Sequence, residues 1–319
     1  MKIGIDLMGG DYAPKVSMEG LGQILKSLQD NTSVEFFLFG DKSYAEDFLE
    51  KRELPTDNIT IVPTTNEIGM GESPLKAVMT KKTSAIVTGL EYLANHKIDG
   101  FLSAGNTGAV LAGVMTMLKP IHGILRPCIT VPLPKDDGTM GVLTDAGLNA
   151  DCKPEHLEQF ALLASLYIKA VYYRENPSVA LLNIGAEPDK GNLLTKATYK
   201  LLENNININF TGNIEGHDLF IKNKVDVVVT DGFTGNVVLK EIESIYRIIK
   251  SRGINDNYFE RYNFVNYGGT ALLGIESTVV IGHGASNGLA MKNMIRHTMD
   301  VVQADVPNKI KSYFKNVKI

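Results

Sequence analysis

The 19 residues from Gly100 to Leu118, GFLSAGNTGAVLAGVMTML, carry no charged side chain. That length approaches the roughly 20 apolar residues a membrane-spanning helix needs. Ser103, Asn106 and Thr107 interrupt the run, together with four glycines, Gly100, Gly105, Gly108 and Gly113. A spanning helix would carry those polar groups into lipid at a cost in free energy. The reading that fits is a buried strand Gly100–Ser103, a loop Ala104–Gly108 and then a helix of small residues. A strand, a glycine-rich loop and a helix form the repeating unit of sheets that bind ligands at their strand ends.

The same style recurs on both sides of this run. Short β-rich stretches are KIGIDL from Lys2, VEFFLFG from Val34, NITIVP from Asn58, CITVP from Cys128, GVLTD from Gly141, SVALLNIG from Ser178, INFTG from Ile208, DVVVTDG from Asp226 and STVVIG from Ser277. Many are continuously apolar rather than alternating, as expected of parallel strands covered on both faces. Helical patterns lie between most of them. The clearest is Leu157, Phe160, Ala161, Ala164, Ile168 and Val171, one buried stripe at i, i+3, i+4 spacing, with Asp151 and Pro154 as its start signal. The alternation predicts an α/β fold with a mostly parallel sheet. No repeat, low-complexity tract or linker divides the chain, so residues 1–319 read as a single domain.

Composition narrows the function classes. The chain is 44% hydrophobic and 21% charged, which excludes a disordered or collagen-like polymer. A net charge of −4 argues against a general nucleic-acid binder, which needs a broad basic face. Two cysteines, Cys128 and Cys152, make no disulfide framework and point to a reducing compartment. Asp6 and Asp11 break the apolar start, so no signal-peptide core is read and a cytoplasmic location is expected. The histidines lack metal-ligand spacing, so no metal is expected.

The chemistry is expected in loops of Gly, Asn and Asp that follow strands and precede helices. The first is Ser103-Ala104-Gly105-Asn106-Thr107-Gly108. Others run from Asp145 through Asn149 to Pro154, from Asn183 to Asn192 with Lys190, and from Asp231 to Asn236, with Lys240 beyond; a last one holds His283 between Gly282 and Gly284. Glycine lets backbone approach a ligand, and a helix start offers free N–H groups to an anion. None is a Walker A loop or a dinucleotide fingerprint. Taken singly each fits a tight turn with a helix cap; taken together they suit a phosphate or thioester site whose donors face developing negative charge. Lys190 and Lys240 are the best-placed cations. Cys152, near a helix start, is a candidate nucleophile. Asp145 and Asp231 are candidates to orient a lysine or an amide.

Basic residues also cluster. Lys81-Lys82 follows Glu72-Ser73-Pro74, and from Lys292 onward six basic residues stand against two Asp, a net +4. Such stretches suit an acidic partner or a solvated helical face. Ile242, Ile245 and Ile249 form an apolar helical stripe beside Arg247, Lys250 and Arg252, fit for the core, a dimer interface or a membrane surface.

In this order the loops resemble the bacterial phosphate acyltransferases of phospholipid synthesis. The matching pieces are Asp6-x-Met8-Gly9-Gly10-Asp11-x-Ala13-Pro14, Met70-x-Glu72-x-Pro74 with Lys81-Lys82, SAGNTGA from Ser103, Arg126-Pro127, Asp145-x-Gly147-x-Asn149 and Asp151-Cys152-Lys153-Pro154-Glu155-His156-Leu157. They continue with LLNIG from Leu181, Lys190-Gly191-Asn192, Gly212-x-Ile214-Glu215-Gly216, VDVVVTDGFTGNVVLK from Val225, Tyr267-Gly268-Gly269 and His283-Gly284. Each is weak alone, but the ordered set covers nearly the whole chain. Tyr12, Met79, Ala186 and Ile281 depart from the family's usual residues, and the stretch from Lys240 to Tyr267 is shorter than its counterpart there.

The resemblance implies an α/β/α sandwich like that of phosphotransacetylase and isopropylmalate dehydrogenase. It implies transfer of a fatty acyl group from acyl carrier protein to inorganic phosphate without a cofactor, and an acyl phosphate product used in glycerol-3-phosphate acylation. Homodimers in the cytoplasm, peripheral contact with anionic membrane and a glycerol-3-phosphate acyltransferase partner are implied likewise. On this reading Asn183, Lys190, Asp231, Asn236 and His283 are the catalytic candidates. Ser103, Gly105, Asn106, Thr107, Gly108, Asp145, Asn149 and Lys240 are the substrate-binding candidates, and Lys81 and Lys82 dock the carrier. The rivals are a short-chain phosphotransacetylase using coenzyme A, a dehydrogenase of the related fold, and a non-catalytic carrier-protein or membrane scaffold.

Overall fold

A computed structural model of the chain describes residues 1–28, 33–135, 137–220 and 225–316. Lys318, counted in the basic C-terminal stretch, lies outside the described residues. The chain opens with β1 (Lys2–Asp6), α1 (Lys15–Leu28), β2 (Glu35–Gly40), α2 (Lys42–Lys51), β3 (Ile59–Pro63), α3 (Pro74–Thr80), α4 (Ala85–Ala94), β4 (Gly100–Ser103) and α5 (Thr107–Met117). It continues with β5 (Cys128–Pro134), β6 (Met140–Thr144), α6 (Pro154–Tyr172), β7 (Ser178–Leu182), α7 (Leu193–Asn204), β8 (Asn209–Ile214), β9 (Val227–Val229) and α8 (Gly232–Ser251). It closes with β10 (Thr270–Leu273), β11 (Thr278–Ile281), α9 (Gly288–Gln303) and α10 (Val306–Asn316). Among the described residues no helix is long and apolar enough to cross a membrane. The uncharged run from Gly100 forms the strand β4 and the helix α5, as its polar interruptions require.

The elements gather into two compact units that the chain enters twice. The first comprises Met1–Lys119, Phe264–Ala271 and Ile275–Ala304; the second comprises Pro120–Asn263, Leu272–Gly274 and the chain from Asp305. In the first unit the strand order is β3-β2-β1-β4-β11-β10. Every neighbouring pair from β3 to β11 is parallel, and β10 joins β11 antiparallel. One sheet face packs Ile3, Ile5, Leu38 and Leu102 against α1 and α9 through Met18, Leu21, Met291 and Ile295. On the other face Phe39 and Phe101 meet edge to face, and α4 lies close enough for Gly89 to rest on the Phe101 ring. Helices thus cover both faces, which explains why these strands read as continuous apolar runs.

In the second unit the order is β5-β6-β9-β7-β8, with β6, β9, β7 and β8 mutually parallel and β5 antiparallel to β6. The α6 helix buries Leu157, Phe160, Ala161, Ala164 and Ile168, the stripe read from spacing. Pro154 occupies its first turn, but the cap is Lys153 rather than Asp151: its backbone N–H donates to His156 Nδ1 at 3.0 Å. At the edge away from the strand C-termini, Asp226 accepts from Lys135, Arg174 and Ser178. Lys135 is only 2% exposed, so this carboxylate keeps a buried cation paired.

Candidate active site

In the first unit the loops that follow β1, β4 and β11 lie side by side, because these strands are parallel neighbours in register. Asp6, the last residue of β1, is buried at their centre. It accepts from Ser103 Oγ at 2.6 Å and from Met8 N at 2.9 Å. Ser103 Oγ accepts in turn from Gly105 N at 3.1 Å. A Cβ on Gly9 would lie 2.5 Å from both Asp6 Oδ2 and Gly105 N, so only glycine permits this approach. Asp11 N donates to Gly284 O at 2.8 Å, which fastens the first loop to the last.

Asn106 spends its carboxamide on structure. Its oxygen caps α5 by accepting from Ala109 N, and its nitrogen donates to the carbonyls of Gly69, Met70 and Glu72 at 3.1, 3.1 and 3.2 Å. Thr107 and Gly108 then open α5 with Thr107 exposed, and the first N–H groups of a helix have no intrahelical partner. Lys81 is held by Glu72 at 2.6 Å and by the Glu67 carbonyl, while Lys82 is exposed and touches Met79 Sδ at 4.0 Å. Lys81 also holds the Glu72 carboxyl below its ordinary range. His283 stacks on Phe264 with ring centroids 4.7 Å apart. Its Nδ1 accepts from Ala285 N at 3.1 Å, which assigns the neutral ring's proton to Nε2.

In the second unit Asp145 plays the part that Asp6 plays in the first. It is fully buried, and burial lifts its pKa above the usual carboxylate range. Its oxygens accept from Ile129 N at 2.9 Å, Asn149 N at 2.6 Å and Asn149 Nδ2 at 2.9 Å. Gly232 N donates to Asn149 O at 2.7 Å, tying this loop to the start of α8. Asp231 caps α8 through Thr234 N and Thr234 Oγ1, and Asn236 projects beside Gly147. Asn183 Nδ2 donates to Lys190 O at 3.2 Å, and Lys190 N donates to Glu187 O. The Lys190 stem rests against Gly185, and the residue is exposed. Lys240 is not gathered with these groups: it pairs with Glu243 at 3.0 Å, about 13 Å along α8 from its cap.

Cys152 donates to Asn149 O at 3.4 Å. Burial, reinforced by the Asp145 carboxylate, pushes its thiol up to about 11, which removes the premise for a thiolate nucleophile near neutral pH. Asp6, quoted above only as part of a motif and not among the site candidates, is the carboxyl that organises these loops. Its signal was present, since an aspartate closing an apolar strand is costly unless it organises the loop beyond.

Burial raises the Asp6 pKa to about 6. The unfolded value is near 3.9, so the folded state holds the proton more tightly. Its contribution to stability is full below the unfolded value and is lost as pH rises through about 6. From about pH 4 to pH 7 the wild type is expected to lose about 2 kcal/mol more unfolding free energy than Asp6→Asn. Denaturant unfolding at both pH values measures this, and an equal slope in the two proteins refutes it.

The model of a family described as fatty acid synthesis protein matches residues 1–256. The chain belongs to that family. The match takes in every loop described above except the one carrying His283. Among curated relatives, the phosphate acyltransferase of Caldicellulosiruptor bescii is 41% identical over 310 residues, 91% of each chain. That of Halothermothrix orenii is 40% identical over 332 residues, 98% of each chain. Among solved structures, a phosphotransacetylase from Staphylococcus aureus matches with a TM-score of 0.62 and 17% identity over 95% of this chain and 94% of that one. A Streptococcus pyogenes phosphotransacetylase gives 0.61 and 15% over 96% and 94%. At that identity the likeness establishes a shared fold. This member of the fatty acid synthesis protein family therefore has the α/β architecture that the resemblance implied.

Proposed function

We propose that this enzyme is a phosphate acyltransferase that moves a fatty acyl group from acyl carrier protein to inorganic phosphate. The observation that carries the reading is the 40% identity to a phosphate acyltransferase across 98% of both chains. Residues 1–319 act as one catalytic domain. Phosphate is substantially dianionic near neutral pH, so the attack needs little help from a base. A phosphate oxygen forms a bond to the thioester carbonyl carbon. The tetrahedral oxyanion then collapses, the C–S bond breaks, and the thiolate leaves with the electron pair to take a proton from solvent. The protein's contribution is positioning and electrostatic stabilisation.

In this scheme the N–H groups of Thr107 and Gly108 bind anionic oxygen, with Gly105 and Ser103 shaping the turn beneath them. In the same unit the His283 side chain is a donor for developing charge; in the second unit Lys190 supplies a cation and Asn236 a donor. Asn106, Asn183, Asp145, Asn149 and Asp231 act by holding those loops. Lys82 meets the acidic carrier, with Lys81 bracing the loop beside it. The enzyme works as a homodimer in the cytoplasm with peripheral contact to anionic membrane, where a glycerol-3-phosphate acyltransferase consumes the product. Support for self-association or membrane contact comes from α8, in which Phe233, Val237, Ile245 and Ile248 are exposed and only Gly232 and Gly235 are buried.

Thiol release from acyl-loaded carrier protein is expected to rise with phosphate concentration and to exceed release from acetyl-CoA. Faster release from acetyl-CoA would instead mark a short-chain phosphotransacetylase. Carrier binding without release would mark a scaffold.

A further inference from the structure

Three large apolar side chains on α3 and α5 lie open to solvent: Leu75 is 58% exposed, Met79 56% and Met115 52%. Leu75 and Met79 stand one turn apart on the outer face of α3. Pro74, which begins α3, presses on Gly108, where a Cβ would come within 2.5 Å of its ring. The α3 helix packs along α5. Met115 follows Gly108 by seven residues, two helical turns, and so shares the face that meets α3. Leu75 and Met79 therefore extend an apolar face from Pro74, beside the start of α5, and Met115 lies about 12 Å along that helix on its α3 side.

We propose that this surface carries the acyl chain of the substrate and sets chain-length preference, with Met79 at its centre. The inference rests on the acyl-transfer reading and adds where the chain lies. Three observations favour this occupant. The surface starts where phosphate and the reacting carbonyl are placed, so a chain attached to that carbonyl can run along it. Lys82, the cation assigned to the acidic carrier, touches Met79 Sδ at 4.0 Å, so carrier and chain arrive at the same patch. Two of the three side chains are methionines, whose unbranched thioethers adapt to ligands of different length.

Two measurements test the proposal. In the first, kcat/KM is compared for carrier protein loaded with C16 and C4 chains, in wild type and in Leu75→Ser/Met79→Ser. The C16-to-C4 ratio is expected to fall about tenfold in the variant, the scale of losing a few buried methylenes. An unchanged ratio overturns the proposal. In the second, methionine sulfoxide formation under mild peroxide is followed by mass spectrometry in the wild type. Met79 and Met115 are expected to oxidise several-fold more slowly with C16-loaded than with C4-loaded carrier. Equal oxidation overturns the proposal by a route that needs no turnover. A wild type that releases no thiol yet shows chain-dependent protection would refute the acyl-transfer reading and leave the chain site standing.

Discussion

Gly235→Ala is expected to destabilise the fold by about 3 kcal/mol or more and to remove activity. Gly235 lies in the first turns of α8, directly against the end of β6. A Cβ there would sit 1.9 Å from the Asp145 carbonyl oxygen and 3.0 Å from its carbonyl carbon. Both sides of this contact are backbone, so no side chain can swing away. Alanine would gain about 1 kcal/mol in helix propensity, which is too little to offset the overlap. Relief requires α8 to shift, and the shift would break the hydrogen bond from Gly232 N to Asn149 O. The Asp145–Asn149 loop would lose its brace at the same step. Gly216→Ala is the control, since a Cβ there meets nothing within 4 Å. Thermal unfolding is expected to show a midpoint several degrees lower for Gly235→Ala, with Gly216→Ala within about a degree of wild type. Equal midpoints in all three proteins would show that α8 does not pack on Asp145.

How far the fold was legible depended on whether its determinants were local. The Gly100–Leu118 run was decided by Ser103, Asn106 and Thr107. Its strand came out at the expected bounds, while the helix begins at Thr107, inside the expected loop, because Asn106 caps it. The α6 stripe was equally local. The strand Thr270–Leu273 passed unnoticed, since four residues between glycines carry too little pattern to separate strand from loop. The run from Cys128 looked like its parallel neighbours but is antiparallel, because burial on both faces gives a continuous apolar run in either direction. The two-unit division was invisible for another reason: residues 264–271 and 275–304 return to the first unit with no break in composition, so only tertiary contacts separate them. Within the candidate site, spacing located the loops but could not tell a carboxamide spent on capping, such as Asn106, from one left to meet a ligand. Lys190 and Lys240 look alike in sequence, yet only Lys240 is committed to a neighbouring carboxylate.

That difference makes Lys190→Ala the sharper test of the proposed chemistry. The Lys190 backbone is fixed from both sides, by Asn183 Nδ2 on its carbonyl and by its own N–H on Glu187 O. Gly191 holds φ +96, and a Cβ there would lie 2.4 Å from Asn183 Oδ1, so the turn and the asparagine are set together. Asn192 then caps α7 through Thr195 N at 2.9 Å. A rigid turn thus presents a long, exposed cation at the end of β7, and the ammonium has no hydrogen bond or ion pair among the described residues. Its removal should cost little stability, because exposed lysines contribute little to folding. Its removal from a transition state that gathers charge on oxygen should cost about 2.7–4 kcal/mol, or about 10²–10³ in turnover. The expected signature is a fall of that size in kcat/KM for phosphate with the unfolding midpoint unchanged, while Lys240→Ala stays within about threefold of wild type. A Lys190→Ala enzyme that turns over normally at low phosphate would move the anion site elsewhere. It would leave the N–H groups of Thr107 and Gly108, rather than any lysine, as the groups that hold the phosphate.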